Sequence, residues 1–265
     1  MPKFLTDQQV EQYHRDGFVS PVRVMPEEEA ISLRSKIEVF EASQGEPIHG
    51  TQKTKAFLRF PWAYDLVMRP EILDAVEDVM GPDILCYQHG TWFKEPESGS
   101  YVSWHQDATY YGMDPWALLS AWVALTVVDD ISGCIQVVPG SHKGGSYPVE
   151  YTERSEENLL ASGQNTLYEF DEADAVSFHL RPGEMSFHHV CLVHSSKPNH
   201  GTDRRMGLSA GYVPPHVKQT TELKATAMLV RGKDDYGHYL QNELPPVAHD
   251  DPATIERQEK SVELY

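Results

Sequence analysis

The sequence predicts a mainly β protein, an antiparallel barrel or sandwich preceded by supporting helices. From Ile84 onward, six segments read as strands: ILCYQHGTWFK, ALLSAWVALTVV, CIQVVPGSH, DAVSFHL, EMSFHHVCLVHSS and RMGLSAGYVP. They are rich in β-branched and aromatic residues and are separated by Gly, Pro and Asp turns. Few helical patterns fall between them, which favours antiparallel pairing over crossover units. The residues before them carry a helical period instead.

The first helix is marked by a Thr6/Gln9 capping box. Val10 and Tyr13 begin its apolar stripe, and Gly17 ends it. A second helix follows Pro26, with Ala30, Ile31, Leu33, Ile37 and Phe40 as its buried face. A third runs from Pro70 to Met80, with Ile72, Leu73, Val76 and Val79 inward and Gly81 as its stop. Residues 143–170 are polar and lack a strand period, so they read as a long insertion of the kind that forms lids. The tail from Lys233 is rich in Asp, Pro and His. These signals predict one domain over 1–265: helical support in 1–83, a β core in 84–215 with the 143–170 insertion, and a C-terminal extension in 216–265.

Composition narrows the function. The chain has 265 residues, 40% of them hydrophobic, enough for a sizeable core. Its net charge of −18 argues against nucleic acid and anionic membranes as partners. Cys86, Cys134 and Cys191 are too few for a disulfide framework and too dispersed for a zinc site, and they point to a reducing compartment. The start MPKFLTDQQV lacks a signal core, and no run of eighteen apolar residues occurs. A soluble, cytoplasmic protein acting on a small molecule is expected.

The chemistry centres on His105-Gln106-Asp107, with His194 and Arg205 downstream. A His-x-Asp pair plus a distant His is the ligand set of a 2-His-1-carboxylate Fe(II) site, which leaves coordination positions open for reaction. The motif alone is weak: 13 His and 17 Asp in 265 residues give about one His-x-Asp by chance, and this chain has three. His14 and Asp16 lie on a helix, where i and i+2 diverge. His249 and Asp251 lie in a tail with nothing apolar to hold them. His105 and Asp107 close a strand, where i and i+2 share a face. Alternation along MSFHHVCLVHSS puts both His188 and His194 on one face, so they compete for the third ligand position. His194 is favoured by its place at the strand end, just before the strand carrying Arg205. Gly207 and Ser209 share a face with Arg205 and leave it room for a ligand. A guanidinium there matches the far carboxylate of a 2-oxo acid, with an ordinary salt bridge as the competing reading.

The stretches TDQQVEQYHRDGFV, WHQDATYYG, VVPGSH and RPGEMSFHHVCLVHSSKPNHGTDRRMGLSAGY together resemble the phytanoyl-CoA dioxygenase family of Fe(II)/2-oxoglutarate oxygenases. The resemblance implies a double-stranded β-helix (jelly roll, cupin-like) with N-terminal flanking helices. It implies His105, Asp107 and His194 as iron ligands, Arg205 and Ser196 as partners of the 2-oxoglutarate C5 carboxylate, and Trp122 lining the same pocket. O2 would be the second co-substrate. In the ectoine hydroxylase branch, Gln88 matches a substrate-side Gln and Lys94 a Lys, while Trp92 replaces an Asn and argues against ectoine itself. Related halogenases carry a small residue where this chain has Asp107, so hydroxylation is expected over halogenation.

Gln88, Trp92, Tyr110, Tyr111 and the 143–170 insertion are the candidate substrate pocket. Tyr110, Tyr111, Trp92 and Trp104 are candidates for an aromatic wall, suited to a cationic, aromatic or apolar substrate. Hydroxylation of a small-molecule C–H bond is the leading expectation. Desaturation, epimerisation or ring formation on the same iron, or a non-catalytic metal-binding jelly roll, are the alternatives.

Overall fold

The computed structural model describes residues 1–152, 155, 157–160, 163–222, 224–241 and 244–264. Helix α1 (Asp7–Asp16) has the expected capping box and stops at Gly17, whose left-handed backbone (φ 87°) closes the C-cap. Strand β1 (Phe18–Arg23) follows at once; the sequence reading did not anticipate it. In α2 (Glu27–Gln44) the buried stripe is Ala30, Leu33, Ile37 and Glu41. Ile31, expected inward, is exposed, because the stripe runs through its neighbour Ala30. A short α3 (Pro61–Val67) precedes α4 (Pro70–Met80), each opened by a proline at the first turn.

The strands that follow are β2 (Ile84–Lys94), β3 (Val102–His105), β4 (Leu119–Ala124), β5 (Ile135–Val137), β6 (Val176–Ser177), β7 (Glu184–His189), β8 (His194–Ser196), β9 (Arg205–Val213), β10 (Thr226–Arg231) and β11 (Leu240–Gln241). A four-residue turn, α5 (Ala108–Tyr111), follows β3, and α6 (Pro252–Glu263) closes the chain. The larger sheet runs β1-β7-β4-β9-β2-β10-β11 and the smaller one β3-β8-β5-β6. This is the jelly roll expected from the sequence.

Strand alternation gives the larger sheet two different faces. Its outer face presents Ala121, Val123, Met185, Phe187, Met206 and Leu208 to the helices, where Leu33, Ile37, Leu66, Ile72 and Val76 complete the main core. Each such buried aliphatic side chain contributes about 2 kcal/mol. The inner face carries Trp122 and Ala124. With Phe18 they pack on Cys134, Ile135, Val137, Phe178 and Leu192 of the smaller-sheet side.

Four expectations need correction. The segment 184–196 is not one strand. It breaks at 190–193, where Leu192 N–H donates to the His189 carbonyl, and passes from the larger sheet to the smaller. His188 and His194 therefore lie on different sheets. Asp107 is not part of β3; its backbone is αR and it immediately precedes α5. The insertion contains an antiparallel pair, Val149–Tyr151 with Gln164–Thr166. Its residues 153, 154, 156, 161 and 162 lie outside the described residues. The tail is also anchored: the His249 ring packs on Phe40 and Phe60, and Asp251 caps α6 by accepting from Thr254 N–H. Among the described residues no helix is long and apolar enough to cross a membrane.

Candidate active site

Strand register brings the first two candidate ligands together. His105 ends β3 and His194 begins β8, and they are directly opposite in the antiparallel pair. The α5 turn folds Asp107 back toward both. Its Oδ1 lies 3.5 Å from His105 Nε2 and 3.8 Å from His194 Nε2. The three donor atoms lie within 4.8 Å of one another.

The surrounding hydrogen bonds orient each donor. His105 Nδ1 lies 2.9 Å from the Ser103 carbonyl and 3.1 Å from that of His194. His194 Nδ1 lies 2.9 Å from the Leu192 carbonyl. Carbonyls only accept, so each Nδ1 donates its proton to them and each Nε2 is turned toward Asp107. Ser120 Oγ donates to Asp107 Oδ2 at 2.7 Å, leaving Oδ1 turned toward the imidazoles. Burial opposes ionisation of Asp107, but His105, His188 and His194 outweigh it and hold the carboxyl well below its ordinary range. Burial, reinforced by His105 and His188, pushes His194 well below 6.5 and keeps it neutral. Two imidazole Nε2 atoms and a carboxylate, each held from behind, fit a divalent transition metal such as Fe(II).

Arg205 opens β9 beside this group. It is 2% exposed, and among the described residues its buried Nε has no hydrogen-bond partner. Burial lowers its guanidinium to about 10. Its Cζ stands 5.3 Å from the centre of the Trp122 ring. The expected open space beside Gly207 and Ser209 is filled differently. A Cβ on Gly207 would fall 1.7 Å from Trp122 Cζ2, and one on Gly211 2.8 Å from Gln88 Cγ. Ser209 Oγ accepts from Trp92 Nε1 at 2.9 Å. Small residues on β9 thus seat Trp122, Trp92 and Gln88 across the inner face.

Lys94, at the end of β2 opposite Arg205, donates to Ser196 Oγ at 2.7 Å and to the Lys197 carbonyl at 2.5 Å. Burial, then the neighbouring Arg205, lowers its amine to about 6. Asn199 Nδ2 donates to the Lys94 and Asp203 carbonyls and fixes the approach to β9. Lys94 and Ser196 thereby close a buried corner around the Arg205 cation.

Tyr110 is partly exposed, with its ring centre 6.4 Å from that of His105. Tyr111 packs edge-on against Tyr87. Trp104 alternates away from His105 along β3 and packs on Phe170 of the insertion. With Trp92 on the larger sheet, the expected aromatic wall is divided among separate contacts.

Three site residues were not assigned roles from sequence. Ser120 gave no signal, since its partner is set by the fold. His188 is buried, its Nε2 is 3.7 Å from Asp107 Oδ2, and among the described residues neither ring nitrogen has a hydrogen-bond partner. It stands beside the ligand group rather than replacing His194. Gln106 points away from the site, donating to the Gly145 and Cys191 carbonyls and accepting from Tyr147 N–H, which ties the start of the insertion to the ligand loop.

Comparison with known proteins gives consistent matches. Residues 13–207 match the model of the phytanoyl-CoA dioxygenase (PhyH) family. The chain is 30% identical over 213 residues to a probable alpha-ketoglutarate-dependent hypophosphite dioxygenase of Stutzerimonas stutzeri, covering 79% of this chain and 71% of that protein. It is 32% identical over 149 residues to the peroxisomal phytanoyl-CoA dioxygenase of Bos taurus, covering 54% of this chain and 43% of that protein. The apo structure of the non-heme monooxygenase ThoJ superposes with a TM-score of 0.85 at 31% identity, covering 96% of this chain and 95% of ThoJ.

Proposed function

The chain belongs to the phytanoyl-CoA dioxygenase family, and on that premise we propose that it is an Fe(II)- and 2-oxoglutarate-dependent dioxygenase that hydroxylates a C–H bond of a small-molecule metabolite, releasing succinate and CO2. The observation that carries this reading is the convergence of His105 Nε2, His194 Nε2 and Asp107 Oδ1, together with the buried Arg205, whose Nε has no hydrogen-bond partner among the described residues.

In this reading His105, Asp107 and His194 hold the iron, and the bound iron supplies the activation of O2. The chain's own contribution is positioning. The Ser103, His194 and Leu192 carbonyls and Ser120 fix the ligands in their binding orientation before metal arrives. Arg205 and Ser196 receive the far carboxylate of 2-oxoglutarate, Lys94 holds Ser196 in place by donating to its hydroxyl, and Trp122 backs the guanidinium. Burial strengthens these charge contacts and limits water at the reacting centre.

Gln88, Trp92, Tyr110, Tyr111 and the insertion contribute to the substrate side, and 1–265 acts as one catalytic unit with 1–83 as support and 216–265 as an extension. The net charge of −18 favours a neutral or cationic substrate over nucleic acid or a membrane. Three buried, free cysteines suit a reducing compartment such as the cytoplasm. The relatives range from a hypophosphite enzyme to acyl-CoA enzymes, so product analysis must name the substrate class.

The test is incubation with Fe(II), 2-oxoglutarate and a metabolite panel under 18O2. Hydroxylation gives a product heavier by one labelled oxygen and an equivalent of succinate. A product lighter by two hydrogens, or of unchanged mass, would move the assignment to desaturation, ring formation or epimerisation. No succinate with any substrate would refute the oxygenase reading.

A further inference from the structure

We propose that Asp130, Cys134 and His179 form a second metal site, for one thiophilic divalent cation of the zinc class, at the outer edge of the smaller sheet. Their ligand atoms lie within 4.8 Å of one another. His179 Nε2 is 2.9 Å from Asp130 Oδ2, and Cys134 Sγ is 3.4 Å from Asp130 Oδ1. Tetrahedral zinc, with bonds of about 2.0–2.3 Å, spaces N, O and S donors about 3.4–3.6 Å apart, so the three groups would seat it after side-chain adjustments of about 1 Å.

The backbone presents these groups from fixed positions. Strands β5 and β6 pair Gln136 with Ser177 and Val137 with Val176. Continuing that register through the Phe178 N–H to Ile135 carbonyl bond places Cys134 opposite His179. The loop carrying Asp130 is held on one side by reciprocal bonds between Val128 and Leu180, and on the other by Cys134 N–H donating to the Asp129 carbonyl. Ser177 Oγ donates to Asp130 Oδ1 at 2.7 Å and orients the carboxylate from behind. Such outer contacts accompany built metal sites.

The chemistry separates this group from a surface ion pair. Exposed His–Asp pairs are common and contribute little. Here a thiol meets the same carboxylate, although Cys134 is buried and the other two side chains are more than half exposed. The arrangement is not a cysteine nucleophile with its base, because Asp130 stands between the thiol and the imidazole. Cysteine, imidazole and carboxylate together select zinc-like ions over Mg2+ or Ca2+. Binding would displace the thiol proton to solvent, and the exposed side leaves a fourth position for water, which makes the ion exchangeable. None of the three is among His105, Asp107 and His194, although Cys134 shares a buried cluster with Trp122. Sequence spacing hides the site, since it uses one cysteine and a histidine 45 positions beyond it, the difference 179 − 134.

The test uses the full chain carrying H105A/D107A, which removes the catalytic ligands, titrated with Co(II). One equivalent should bind with a thiolate-to-Co(II) charge-transfer band, release protons and be displaced by Zn(II). C134S should abolish the band. H179A, at an exposed position that leaves folding intact, should weaken Co(II) affinity at least tenfold. No charge-transfer band in the parent, a band that survives C134S, or undiminished affinity in H179A would overturn the proposal.

Discussion

Replacing Gly207 with alanine tests how the cationic corner is packed. The new Cβ would lie 1.7, 2.2 and 2.3 Å from Trp122 Cζ2, Cε2 and Cη2. Ordinary carbon contacts begin near 3.5 Å, so the indole must retreat by about 2 Å. It has little room to do so, being 4% exposed among Phe18, Ile135 and Val137. Overpacking of this kind costs about 1–3 kcal/mol, and the depth of the clash places Gly207→Ala near 3. At 2–4 °C per kcal/mol for a chain approaching this size, Tm should fall by about 6–12 °C. The retreating ring also leaves the Arg205 guanidinium, which it faces at 5.3 Å. Loss of a desolvated cation–π contact, on the order of 1–2 kcal/mol, should raise the 2-oxoglutarate Kd about tenfold. Thermal unfolding and titration calorimetry read the two effects. Trp122→Phe shortens the ring, so in the double variant the stability loss should fall short of the sum by at least about 1 kcal/mol. Strict additivity, or a Gly207→Ala protein as stable as the parent, would refute the reasoning.

Other consequences follow from single contacts. Ser120→Ala removes the hydroxyl that holds Asp107 Oδ2 and should weaken Fe(II) or Co(II) binding about tenfold, read by competition titration, with Tm little changed. Gln106→Leu strips the Gly145 and Cys191 carbonyls and Tyr147 N–H of their partner and should cost about 2 kcal/mol by denaturant unfolding, with more 2-oxoglutarate consumed per product formed. Burial lowers the Lys55 amine from 10.5 to about 7, so above pH 7 the unfolded chain holds a proton that the folded chain lacks. Its contribution therefore rises with pH: from pH 7 to 8.5 the parent should gain stability relative to Lys55→Met by on the order of 1 kcal/mol per pH unit. Parallel curves would contradict the sign.

Much of the fold was legible where one pattern runs long enough. The whole of β9 stood out because alternation persists over 9 residues, and β2 because a run rich in apolar and aromatic residues extends over 11. The alternation was informative for function too: on β9, Met206 and Leu208 face the helices while Arg205, Gly207 and Ser209 face the site. What failed was local. The 190–193 corner is as apolar as the strands it joins, so nothing in VCLV announces a change of sheet. Asp107 was placed correctly beside His105 for a wrong reason, since a turn rather than strand alternation brings it there. The tail looked unsupported because the aromatic partners of His249, Phe40 and Phe60, lie about 190 to 210 positions earlier. Ser120 and His188 join the site through strand pairing, a relation between distant segments that residue identity does not encode.

The central claim is that the His105, Asp107 and His194 group holds Fe(II) and that Arg205 anchors 2-oxoglutarate. Anaerobic addition of Fe(II) and then 2-oxoglutarate to the apoprotein tests it most directly, through the visible metal-to-ligand charge-transfer band. The account predicts a band in the parent chain that His105→Ala abolishes and Arg205→Ala shifts to much higher 2-oxoglutarate concentration. Bound iron without a band in the parent, or an Arg205→Ala titration identical to the parent's, would contradict it.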